Sequence, residues 1–197
     1  MKNNDLEKIK ELYKKGKYRK CIFLCEKELK LDHENFDILG YQVLALSKND
    51  IDPKKTIELC NKLIHMRIEV DFYYFRGNAY YKIGKYTLAI KDFEKSIKID
   101  PSNSPTWDLL ARSYYRAGNI KKAFKNIDMA IKISKSKNFD ALAVKVLMLR
   151  DEGKVDNAFE LFLDIRKKFP SNELLSNEIC PIFSLLSDDF FKKQVNK

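Results

Sequence analysis

Apolar residues recur at three- and four-residue intervals along most of the chain, the signature of amphipathic helices. The clearest stretch is Val70–Pro101, VDFYYFRGNAYYKIGKYTLAIKDFEKSIKIDP. It predicts two helices meeting at Gly84-Lys85 and a stop at Asp100-Pro101. Glycine tolerates the left-handed turn that ends a helix, and proline cannot continue one. Gly16, Gly118 and Gly153 occupy the same place in neighbouring stretches. Gly16 lies two 34-residue steps before Gly84, Gly118 lies 34 residues after it, and Gly153 lies 35 further on. Repeats are therefore expected at 2–35, 36–69, 70–103, 104–138 and 139–172, with 173–197 as a capping helix or partial sixth repeat. The expectation is a single repeat domain over 1–197.

The departures from this register are as readable as the matches. The first repeat carries Leu6, Ile9, Leu12 and Tyr13, then Tyr18, Cys21, Ile22, Cys25 and Leu29, with Asp5 in place of the first aromatic. The second has no glycine at its turn; Asp52 stands ready as N-cap, with Pro53 at the first helical position. Thr56, Ile57 and Cys60 match Ala89, Ile90 and Phe93 only after a one-residue slip. The fourth opens with Ser104-Pro105, read as a cap followed by proline. Helices of about 13 residues are marginal in water by themselves, so stability must come from stacking. Ala79, Ala89, Ala111, Ala123 and Ala158 allow close approach, and Tyr80, Phe93, Tyr114 and Phe162 fill the interfaces.

The spacing Tyr73, Gly77, Tyr80, Gly84, Ala89, Phe93 and Pro101 resembles the tetratricopeptide repeat, and the neighbouring stretches repeat it. The resemblance implies an all-α right-handed α-solenoid of helix-turn-helix repeats. It implies a non-catalytic scaffold or adaptor whose opening helices line a concave groove for a peptide or helix of a partner. By the same resemblance the groove slots hold Tyr74, Asn78, Tyr81, Lys82, Leu109, Arg112, Tyr115, Arg116 and Arg150, with Tyr13, Lys14, Tyr41 and Lys48 in earlier repeats. One slot reads Tyr13, Ser47, Tyr81, Tyr115, Arg150, and the next Lys14, Lys48, Lys82, Arg116, Asp151. Such an aromatic–basic surface suits an acidic or carboxylate-bearing partner, since Arg grips carboxylates and Tyr and Arg are enriched at hot spots. Tyr-Tyr-Lys is also common background in the family. A clamp for heat-shock chaperone C-terminal tails is disfavoured. Of the matching positions Tyr74, Asn78, Leu109, Asp140 and Val144, only Asn78 fits, and Asp140 would repel a carboxylate. Arg76 replaces the family's Leu, for a reason the sequence does not give.

Composition changes this picture little. The net charge of +10 raises RNA binding as the alternative function, with Tyr/Arg pairs stacking on bases. Against it, the positive charge is mostly Lys, spread evenly and mixed with 28 acidic residues. His33 and His65 are the only histidines, and no phosphate loop or nucleophile motif occurs. The expectation is no enzyme, no metal and no cofactor. Cys21 and Cys25 share a helix face and could ligate zinc with a histidine, but their slots face the paired helix, where Cys acts as a small hydrophobe. The N-terminal MKNNDLEKIKEL has no apolar core for a signal peptide, no long apolar window occurs, and free thiols suit a reducing compartment; a cytoplasmic protein is expected. Self-association through Phe183, Leu185, Phe190 and Phe191 is the third possibility. The partner's identity and the oligomeric state stay open, with a monomer slightly favoured.

Overall fold

The computed structural model describes residues 3–49, 52–67, 69–135 and 137–170. The predicted cap at 173–197, with Phe183, Leu185, Phe190 and Phe191, lies outside the described residues. All described secondary structure is helical: α1 Asn3–Lys14, α2 Tyr18–Leu29, α3 Phe36–Asn49, α4 Pro53–Met66, α5 Val70–Lys82, α6 Tyr86–Ile99, α7 Ser104–Arg116, α8 Ile120–Ile133, α9 Phe139–Asp151 and α10 Val155–Lys168. These fall into two compact units, Met1–Ser102 and Asn103–Lys197.

In the first unit, α1 packs on α2 and α3, α3 on α2 and α4, and α5 on α3, α4 and α6. Ile9, Cys21, Cys25, Ile38 and Ala45 form one apolar cluster, and Leu39, Val43, Leu46, Leu59, Cys60, Leu63 and Phe72 a second. Phe93 is fully buried, worth about 1.5–3 kcal/mol as transferred area. Its ring lies 2.9–3.2 Å from where a Cβ on Gly77 would stand. Glycine is required there by proximity, and it lets α5 settle directly onto α6. In the second unit, α7 packs on α8 and α9, and α9 on α8 and α10, around Leu142, Val146, Ala158, Phe159, Phe162 and Ile165.

The hairpin corners share one construction. At Gly84 (φ 75°) the chain turns left-handed, the Gly84 amide donates to the Tyr81 carbonyl, and the Lys85 amide donates to that of Tyr80. This double bond pattern satisfies carbonyls that a helix end otherwise leaves open. Gly16, Gly118 and Gly153 repeat it. Where the second repeat lacks glycine, the Asp52 carboxylate accepts from the Lys55 amide at 2.9 Å and starts α4 instead. That helix begins at Pro53, 17 residues after α3 begins, whereas α6 begins 16 after α5; the expected one-residue slip is here.

The start of α7 differs from expectation. Asn103, not Ser104, is the cap, accepting from the Thr106 amide at 3.2 Å. The Ser104 hydroxyl is buried and committed elsewhere, donating to the Ala130 carbonyl at 2.9 Å and accepting from Asn138 at 3.1 Å. Asn138 in turn caps α9 through the Ala141 amide. The extra residue between α8 and α9 is absorbed where Lys135 adopts a left-handed φ of 52°.

Candidate partner-binding surface

Helix α5 places Tyr74, Asn78, Tyr81 and Lys82 within one arc of its surface, because residues three and four apart stack on one face. The first three are half-buried and Lys82 is exposed. Tyr74 meets the Phe75 and Phe93 rings at centroid distances of 5.4 and 6.3 Å. Tyr81 leans on Tyr86 of α6 at 5.6 Å and 58°. Tyr13 and Tyr18 reproduce that pair at 5.6 Å and 58° two repeats earlier, so the tyrosine ladder is partly a packing device. Asn78 and Lys82 also line a crevice of about 10 Å³ between α3, α4 and α5, with Ser47, Pro53, Thr56 and Phe75. The Ser47 hydroxyl is buried there without a hydrogen-bond partner.

The second unit carries Leu109, Arg112, Tyr115, Arg116 and Arg150 on α7 and α9. Their charges are largely met locally. Arg112 donates through Nε to both carboxylate oxygens of Asp108 at 3.1 and 3.2 Å. Burial pushes the Asp108 carboxyl up from its ordinary value, and Arg112 only partly opposes this. Arg150 donates to Asp151 from Nε at 2.9 Å and Nη2 at 2.6 Å. The Tyr115 hydroxyl sits 3.4 Å from the same carboxylate, and its titration is raised by burial and then by Asp151. Leu109 is half-buried, and Arg116 is exposed without an ion-pair partner among the described residues. This unit therefore brings Tyr115 and Arg150 together through Asp151, and it ties Arg112 to Asp108. The i,i+4 spacing of Asp108 and Arg112 was the sequence signal for that pair.

Arg76, the departure from the family's Leu, now has a physical account. Its Nε and Nη2 both donate to Asp92 at 2.7 Å, and Nη1 donates to Asn61 at 2.7 Å. The side chains retain only 16% and 5% exposure. Three elements, α4, α5 and α6, are thereby tied by one guanidinium. Nearby, burial pushes the Cys60 thiol up to about 12. Cys21 and Cys25 are fully buried, and His33 and His65 are exposed. No cluster of three metal-ligating side chains occurs among the described residues.

Comparison with known proteins agrees with this architecture. Residues 70–103 match the tetratricopeptide repeat family. The crystal structure of the MamA protein superposes with a TM-score of 0.71 at 21% identity, covering 88% of this chain and 93% of that one. MamA from Desulfovibrio magneticus RS-1 superposes with a TM-score of 0.76 at 15% identity over 87% and 99%. A thermophilic tetratricopeptide protein of Thermus thermophilus gives 0.69 at 16% over 89% and 95%. At these identities the likeness shows the fold. A curated relative, the inactive peptidyl-prolyl cis-trans isomerase shutdown of Bombyx mori, is 29% identical over 119 residues, covering 52% of this chain. The match spans 27% of that relative's length.

Proposed function

We propose, from the tetratricopeptide repeat at residues 70–103 and the fold shared with tetratricopeptide proteins, which are generally protein-binding scaffolds, that the chain is a non-catalytic adaptor that receives a peptide or helix of a partner protein. The observation that carries this reading is the α5 face. Tyr74, Asn78 and Tyr81 keep part of their surface open, yet Phe93 and Tyr86 hold the two rings in place. Rings fixed before binding lose little conformational freedom on contact, which is what makes a hot spot. Lys82 is the exposed cation of this face. In the second unit, described by itself, Arg116 is exposed and Tyr115 and Arg150 meet at Asp151. An RNA-binding role draws less support, because Asp108 and Asp151 stand directly beside Arg112 and Arg150 and would repel phosphates. No described helix is long and apolar enough to cross a membrane, and the adaptor is proposed to work in the cytoplasm.

The test isolates a partner by affinity capture and measures its binding to the parent and to Tyr81→Ala/Arg112→Ala by calorimetry. The expected loss is about 2 kcal/mol for each hot spot removed. Equal affinity for the two proteins would sink the groove assignment.

A further inference from the structure

On the other side of α5 from Tyr74 and Asn78, the first unit holds a recess of about 380 Å³. Arg76 and Tyr80 lie in α5 two residues away from Tyr74, Asn78 and Lys82, which at about 100° per residue turns them to the opposite face. Together with them, α6 lines the recess with Leu88, Lys91, Lys95 and Lys98. These four stand at i, i+3, i+7 and i+10, a continuous helical stripe about 15 Å long. It begins with an apolar residue that keeps 39% exposure and continues with three exposed lysines. Two carboxylates share the lining, Asp92, which Arg76 holds, and Glu94. Counting all six charged groups leaves a net +2 (Arg76, Lys91, Lys95 and Lys98 against Asp92 and Glu94).

The Arg76 guanidinium carries five N–H donors. Three are taken by Asp92 and Asn61, and the side chain, which lines the recess, keeps 16% exposure. Lys95 is already positioned, with Nζ 5.2 Å from the centre of the Tyr73 ring. We propose that this recess is a second protein-docking site, distinct from the α5 face already described, and that its occupant is an acidic amphipathic helix of a partner protein. One apolar residue of that helix covers Leu88, and carboxylates at i, i+4 and i+7 meet Lys91, Lys95 and Lys98. Charge complementarity selects the occupant: a stripe of one exposed apolar residue and three cations, above a preset arginine, matches a helix bearing the inverse pattern. A chain with ligand surfaces on both sides of α5 bridges two partners.

The probe is a fluorescein-labelled synthetic helix with Glu at i, i+4 and i+7 and Leu three residues before the first Glu, read by anisotropy on the full chain. The parent is expected to bind it, more weakly as salt rises from about 50 to about 200 mM. Lys91→Glu/Lys95→Glu/Lys98→Glu should weaken binding at least about tenfold. Leu88→Ala should weaken it severalfold at either salt, with unchanged far-UV helicity in both variants. Tyr81→Ala/Arg112→Ala should bind as the parent does, which separates this site from the proposed groove. The proposal is overturned if the parent fails to bind. It is overturned if Lys121→Glu/Lys125→Glu/Lys132→Glu on α8 loses as much affinity, because generic basicity then explains the result. Tighter binding of a single-stranded RNA of equal charge would overturn it as well.

Discussion

The seventh residue of the third repeat and the seventh of the fifth reach back to the preceding repeat with a cation, and they do so in different ways. In the first unit Arg76 meets Asn61 of α4 while gripping Asp92 of α6 with both arms of its fork. In the second unit Lys145 of α9 meets Asp128 of α8 at 2.7 Å. The arginine pair is nearly dry, at 16% and 5% exposure, whereas the lysine pair keeps 28% and 56%. Burial decides what each is worth. A dry pair is costly to break, because the surviving charge has no water to return to. A wet pair contributes about 0–1 kcal/mol. One slot of the repeat thus acts as a structural tie in one unit and as surface decoration in the other.

Breaking the tie should give the largest effect. Asp92→Ala is expected to cost about 3–5 kcal/mol in chemical denaturation, and Arg76→Leu/Asp92→Leu should recover most of it, since well-packed apolar replacements often match a buried pair. A loss below about 1 kcal/mol for Asp92→Ala would mean the pair is wetter than its geometry implies. A smaller effect is expected at Asp108, whose carboxyl is raised from 3.8 chiefly by burial. For a raised group, the favourable contribution is complete below the ordinary value and fades as pH climbs through the folded one. Thermal stability of the parent relative to Asp108→Asn should therefore fall over that window, because the variant lacks this contribution. A parallel profile in the variant would refute the assignment. The smallest effect belongs to Lys145→Ala, expected to cost less than about 1 kcal/mol and to vanish into the salt dependence. A loss as large as that of Asp92→Ala would erase the contrast between the units.

The helical architecture was legible in the sequence because it is written in short-range terms. Gly84 marks a corner, Ala89 and Phe93 mark a seam, and the slip before Thr56 appears in the structure as a late start of α4. The tie was not legible. Arg76 and Asp92 are sixteen residues apart, and Asn61 belongs to the preceding repeat, so no spacing rule within a helix links them. Ser104 misled for a related reason: its local pattern reads as a cap, but the Ala130 carbonyl, 26 residues away, claims its hydroxyl. On the candidate surface, residue types could be read off the repeat slots. Of their counter-ions, Asp108 stands at the i,i+4 spacing from Arg112 that a helix brings together, whereas Asp151 is the sequence neighbour of Arg150, a pairing that no helical spacing rule gives.

The four glycine corners have a use in engineering. A Cβ added at Gly16, Gly84, Gly118 or Gly153 would meet nothing within 4 Å. What reserves these places for glycine is therefore chirality and not crowding. Asparagine, which visits left-handed backbone more readily than other side chains, should be the least costly replacement there. A spectroscopic label or a short grafted loop at the corners would extend into open space, giving four attachment points that leave the helical seams untouched.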